Sequence, residues 1–137
     1  TKVRNVDGHT AGTAALTDSV GVVVLPQADI VVGFDPRSGA ELWTSGAHRA
    51  RGPALIVEGR AVVAGTDGTT DVHDVRSGAL TCTMTRRVGH DRAGPASDGR
   101  ALYFVDRSGM IERMQIERLL GCRLGPDTLL TTTSLPN

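Results

Sequence analysis

Short apolar runs of five or six residues, separated by turn residues, recur along this chain. Across its middle they read PALIV (53–57), AVVAG (61–65), TDVHDV (70–75) and ALTCTM (79–84), broken by Glu58-Gly59, Asp67-Gly68 and Ser77-Gly78. Runs of that length between turn signals predict strands, and glycine at each break supplies the positive φ that tight hairpin turns often require. One stretch has another rhythm. GMIERMQIERLLG (109–121) spaces Met110, Ile111, Met114, Leu119 and Leu120 as an amphipathic helix would, with Gly121 available as a stop.

The strand pattern repeats. HRARGPA (48–54) returns as HDRAGPA (90–96), with a fainter HTAGTA at 9–14. Downstream, VEGRAVV (57–63) aligns with SDGRALY (97–103), and SVGVVV (19–24) fills the first place. A third station gives FDPRSGAELW (34–43) and HDVRSGALTC (73–82), with the end of IERLLGC (116–122) in the same slot. Three stations recur in one order about every 40 residues. Four strands per repeat is one β-propeller blade, so the expected fold is all-β, with about three four-stranded antiparallel blades forming a fragment or open array. Their approximate bounds are 1–45, 46–85 and 86–123, and 124–137 is a tail or the opening of a further blade. The register assigns 109–121 to the last two strands of the third blade, with 106–109 as the preceding hairpin turn. Strand is therefore preferred there over helix.

Composition agrees with this architecture and removes some functions. Of 137 residues, 39% are apolar and 22% charged, which suits a globular domain. Lys plus Arg and Asp plus Glu are both 15, so nothing in the charge argues for nucleic acid or an acidic membrane surface. VGVVVLP (20–26), the longest apolar stretch of its kind, falls far short of a bilayer span, so no membrane insertion is expected. The chain starts at Thr1 with neither an initiator Met nor a signal peptide, which reads as a processed, trimmed or recombinant piece.

The segment ADIVVGFDPRSGAELW (28–43) resembles the repeat of pyrroloquinoline-quinone-like propellers: a strand ending in Asp, a Ser-Gly turn and an outer strand closing on Trp43. The units are similar to Trp-Asp (WD) repeats as well. Gly8-His9, Gly46 with His48, and Gly89-His90 fill that pattern's first position; Asp29, Asp67 and Asp106 its second; Phe34-Asp35 and His73-Asp74 its third. The third unit has Met114-Gln115 at the last of these. The resemblance covers residues 1–123 and implies a bacterial propeller of a kind often exported, hence an extracytoplasmic location in the cell envelope or beyond. Three units are fewer than the four to eight of a closed propeller. Either further blades lie elsewhere in a longer chain or other copies complete the ring as a homo-oligomer; the first is preferred.

The recurring His9, His48 and His90 stand before the innermost strand of each unit, where imidazoles can gather around a metal or an anion. In WD-type repeats the corresponding His is structural and bonds toward the hairpin Asp, here Asp29, Asp67 and Asp106, so that role is preferred. Gly39, Gly78 and Trp43 are expected to serve the repeat itself. Asp67, Asp71, His73 and Asp74 crowd donor atoms together, but they lack calcium-loop spacing, and strand alternation divides them between faces. No metal site is expected.

Cys82 and Cys122 both fall in the slot that Trp43 holds. Equivalent outer positions on adjacent blades should lie beyond the ~7 Å that a bridge tolerates, so two unbridged, buried thiols are expected. The chain has no HExxH, CxxC, phosphate-binding Gly-rich loop or G-x-S-x-G elbow. No catalytic residue or cofactor is assigned. The leading expectation is a non-catalytic scaffold binding another protein, a ligand or further blades through its loop face, using His9, His48, Arg49, Arg51, His90, Asp91 and Arg92. Two alternatives stay open: part of a quinoprotein-type oxidoreductase whose active site lies outside this chain, and an assembly module that closes a ring with other copies.

Overall fold

The computed structural model describes residues 14–25, 28–46, 53–65, 68–85, 95–105 and 108–123. They form three antiparallel sheets. The first contains β1 (Ala15–Leu16), β2 (Gly21–Leu25), β3 (Ile30–Phe34) and β4 (Glu41–Gly46); the second contains β5 (Leu55–Val57), β6 (Arg60–Ala64), β7 (Thr69–Asp74) and β8 (Leu80–Thr85). The third has β9 (Ala96–Ser97), β10 (Ala101–Val105) and β11 (Ile111–Gln115), followed by α1 (Ile116–Leu120). Each strand pairs with its neighbour in sequence, as short hairpin connections dictate.

Register confirms that the first two sheets are copies. In each, the last two strands slip by one residue at corresponding points, between Gly33 and Phe34 and between Val72 and His73. The turns that follow carry the same bonds. Asp35 N–H donates to the Ala40 carbonyl and Gly39 N–H to the Asp35 carbonyl, while Asp35 Oδ1 accepts from Arg37 N–H. Asp74, Gly78, Ala79 and Arg76 repeat the set. Gly39 and Gly78 have φ of 80° and 78°, a region that suits glycine because it lacks Cβ.

Strand alternation then decides which side chains meet. Val20, Val22, Val24, Val31 and Trp43 of the first sheet pack on Ala54, Ala61, Val63 and Val75 of the second. The opposite face of the second sheet offers Val62, Ala64, Val72, Cys82 and Met84 to Leu102, Phe104 and Met114 of the third. β6 therefore runs Ala-Val-Val-Ala with all four residues buried, because it lies between two sheets. Each fully buried Val or Leu contributes about 1.5–3 kcal/mol, so the two interfaces hold the stack together.

The third sheet departs from expectation twice. First, its opening hairpin is shifted: Ser97 pairs with Leu102, as Ile56 pairs with Ala61. Leu102, and not Ala101, thus holds the place of Ala61, which corrects the alignment of 57–63 on 97–103 by one residue. At that turn Asp98 Oδ1 accepts from both Arg100 N–H and Ala101 N–H, and Ala101 opens β10 opposite Gln115. Second, β11 is a strand, but its continuation is the one-turn helix α1, so the expected outer strand is replaced over 116–120. Gln115 stands where Asp35 and Asp74 begin their hairpins and cannot repeat their short carboxylate-to-backbone closure. Ile116 and Leu119, three apart, become the buried side of the helix instead.

Candidate functional site

The chemistry-bearing groups among the described residues gather where one sheet meets the next. Trp43, on the outermost strand of the first sheet, lies over Gly33 of its own sheet and reaches the Val75–Gly78 turn of the second. A Cβ at Gly33 would come 2.1 Å from the indole, and one at Gly78 2.5 Å. The two bare glycines form the slot. Trp43 Nε1–H donates to the Val75 carbonyl at 2.9 Å, and the indole stacks on His73 with centroids 6.3 Å apart and planes 16° from parallel. His73 is buried, with Nδ1 3.1 Å from the Gly78 carbonyl oxygen. Because that oxygen can only accept, Nδ1 carries a proton, and Nε2 has no hydrogen-bond partner among the described residues.

The second-to-third junction has a covalent counterpart. Cys82 pairs with Val72 as Trp43 pairs with Gly33, so the two occupy one position in the repeat. Cys82 is bonded to Cys122, with Cα atoms 5.7 Å apart. This overturns the expectation of two free thiols. The distance argument assumed that Cys122 lay on an outer strand; α1 instead turns the chain back, and Cys122 N–H donates to the Leu119 carbonyl. Backbone bonds fix the correspondence: Val75 N–H reaches Gly59 O, and Ile116 N–H reaches Arg100 O, each at 3.1 Å. In both junctions, then, the outermost strand reaches the segment that follows the third strand of the next sheet.

A third cluster is polar. Tyr103 Oη–H donates to Asp98 Oδ2, and Arg113 Nε–H donates to the Tyr103 oxygen at 3.4 Å, across the exposed face of the third sheet. The bonds from Arg100 N–H and Ala101 N–H, with that from Tyr103, hold the Asp98 carboxyl below its usual range.

The residues expected at the binding face, His9, His48, Arg49, Arg51, His90, Asp91 and Arg92, lie outside the described residues, as do Asp67 and Asp106. Asp29 sits in the second hairpin turn of the first sheet with φ of 53°. Asp71 and His73 share a face of β7, paired with Val63 and Ala61, and Asp71 Oδ1 accepts from Thr83 Oγ1–H. Gly39 and Gly78 end the paired turns, and Trp43 forms the junction described above. What sequence reading missed was the junction's depth: Gly33 and Gly78, each spaced to clear one indole, carried the signal.

Like antiparallel meanders stacked face to face, the middle one buried on both sides, define a β-propeller segment. No protein-family model matches the chain, and no curated protein matches it. Solved structures do. The chain is similar to BamB from Moraxella catarrhalis, with 26% identity and a TM-score of 0.63 over 74% of this chain and 32% of that one. It is similar in fold to the computationally designed Ika8 protein (17% identity, TM-score 0.65, 82% of this chain and 36% of that one). Kuenenia stuttgartiensis hydrazine synthase shares the fold too, at 16% identity and TM-score 0.65 over 77% and 34% of the two chains. The chain spans about a third of the length of these structures.

Proposed function

We propose that this chain is one section of a pyrroloquinoline-quinone-like propeller that serves as a non-catalytic, protein-binding scaffold outside the cytoplasm. The observation that carries this reading is the second sheet, covered on both faces by sheets of its own kind. Such an array gains stability by adding neighbours, and its specificity lies in loops that vary while the sheets stay constant. Arg49, Arg51, Asp91 and Arg92 stand beside the recurring His9, His48 and His90, ahead of the innermost strands, and differ between units, which suits a contact surface. The Cys82–Cys122 disulfide supports an oxidising compartment, where such bonds form and persist.

Cross-linking the purified chain in an envelope extract, followed by mass spectrometry, tests the proposal. One or a few proteins should be captured, and a variant with Arg49, Arg51 and Arg92 changed to Ser should lose them. Equal capture by that variant would remove the loop face from the reading. A quinone absorbance band co-purifying with the chain would favour an oxidoreductase instead.

A further inference from the structure

We infer that the outer edge of β11 is a docking edge for an extended segment of a partner protein, one that carries a carboxylate side chain and, two residues later, an apolar one. The inference rests on the reading of the chain as a protein-binding scaffold and names a contact that the loop face does not supply.

The third sheet lacks one pairing. β7 of the second sheet lies between β6 and β8, whereas its counterpart β11 pairs only with β10 among the described residues, because the chain turns into α1 after Gln115. Backbone directions follow from one bond. Ile116 N–H donates to the Arg100 carbonyl on the β10 side, so Met114 and Glu112 turn their N–H and C=O the same way, and those of Arg113 and Ile111 point outward. In the second sheet the equivalent groups are taken. Val72, the counterpart of Arg113, pairs with Cys82 of β8 and its carbonyl accepts from Thr81 Oγ1–H. Asp74, the counterpart of Gln115, donates its N–H to the Ala79 carbonyl on that side. Arg113 and Ile111 meet no such strand among the described residues. A strand edge of this kind recruits an extended chain, with main-chain bonds giving affinity and alternate side chains giving specificity.

Side chains select the occupant. Ile111 and Arg113 share the uncovered face and are both exposed, Ile111 at 66%. Tyr103, directly opposite Arg113, accepts from its Nε–H and is itself bonded to Asp98, so the guanidinium is positioned in advance. Its Nη groups have no partner among the described residues. A strand antiparallel to β11, the direction that β8 takes on β7, sets one side chain opposite Arg113 and the next but one opposite Ile111. Opposite charges across such a pair stabilise it and like charges oppose it, which assigns an acid first and an apolar residue two positions later. A second copy is disfavoured for the same reason. Two β11 edges paired about Arg113 would set guanidinium against guanidinium. The edge lies on the far side of the sheet from β9, so a ring closed over the sheet faces leaves it reachable.

The test titrates the whole chain with two fluorescent peptides, Thr-Thr-Thr-Glu-Thr-Val-Thr-Thr-Thr and the same sequence with Lys for Glu. Binding is followed by anisotropy and amide exchange by ¹⁵N NMR. In the free chain Glu112 and Met114 N–H should be protected while Ile111 and Arg113 N–H exchange with solvent. The Glu peptide should protect all four and bind about tenfold more tightly than the Lys peptide. Arg113→Glu should reverse that order; the comparison of peptides on the parent chain needs no variant and decides alone if Arg113→Glu fails to fold. Equal binding of the two peptides would overturn the assigned partner chemistry. Free exchange at Ile111 and Arg113 in excess peptide would overturn the docking edge and leave the loop face standing, since that face is tested by the Arg49, Arg51 and Arg92 variant. Protection already present in the free chain would also overturn the proposal: if deleting residues 124–137 abolished it, the edge would belong to the chain's own segment, and if dilution of a dimer did, to a second copy.

Discussion

Trp43 Nε1–H donates to the carbonyl oxygen of Val75, tying the outermost strand of one sheet to the turn of the next across 2.9 Å. Trp43→Phe keeps part of the ring but leaves that buried carbonyl unpaired, which costs about 1–3 kcal/mol. Trp43→Ala also opens a cavity and should cost about 3–5 kcal/mol. Urea unfolding of the two variants checks the order. Equal losses would mean that the bond contributes nothing beyond ring burial.

The Cys82–Cys122 bond closes a loop with a sequence separation of 40. A loop of that size implies about 4 kcal/mol of stabilisation in the chain-entropy account. The double variant Cys82→Ser/Cys122→Ser should therefore unfold at markedly lower urea, and dithiothreitol should shift the parent chain to the same midpoint. A midpoint unmoved by reductant, with both thiols then reactive to iodoacetamide, would show the bond to be dispensable.

How much of this was legible in the sequence divides at Gln115. Up to that residue, Asp35 and Asp74 with their Ser-Gly turns announce the hairpins, since a carboxylate two residues before an N–H closes such a turn by local chemistry alone. Local signals of that kind survive into the fold. After Gln115 the outcome depends on a long-range contact: Leu119 is buried with Met84 and Phe104, and this favours a helical turn over the strand that the repeat predicts. The disulfide follows from that turn, so it was unreadable for the same reason. The docking of Trp43 was half legible; the outer strand was expected, whereas its reach to a turn 32 residues on needed the neighbouring sheet.

Duplicate turns give a test of additivity. Asp35 Oδ1 and Asp74 Oδ1 each hold an N–H two residues ahead, and Asp74 also accepts from Ser77 N–H. Asp35→Ala and Asp74→Ala should each cost about 1 kcal/mol, Asp74 the more. The sites share no partner, so the double variant should equal the sum within about 0.5 kcal/mol. A surplus beyond that in thermal or urea unfolding would mean that the two sheets transmit strain through the Trp43 junction.

Asp98 makes the third sheet's opening turn sensitive to acid. Its carboxyl is held below the usual range, first by Arg100 N–H, then by Ala101 N–H, with Tyr103 Oη–H adding to them. In the unfolded chain those donors are gone and the carboxyl binds a proton at higher pH. Between the two values the unfolded state carries more protons, so stability rises with pH across that window. The contribution is complete above the unfolded carboxylate range, about pH 5 and up, and is lost as pH falls through the folded value. Asp98→Asn removes the titration and keeps an oxygen that can accept from Arg100 N–H. Its unfolding midpoint should lie below the parent's at pH 7, and the gap should narrow as pH falls below the usual carboxylate range. Urea titrations from pH 7 down to about pH 2 measure that gap. A gap constant across the series would assign the loss to turn geometry and remove the ionised carboxylate from the account.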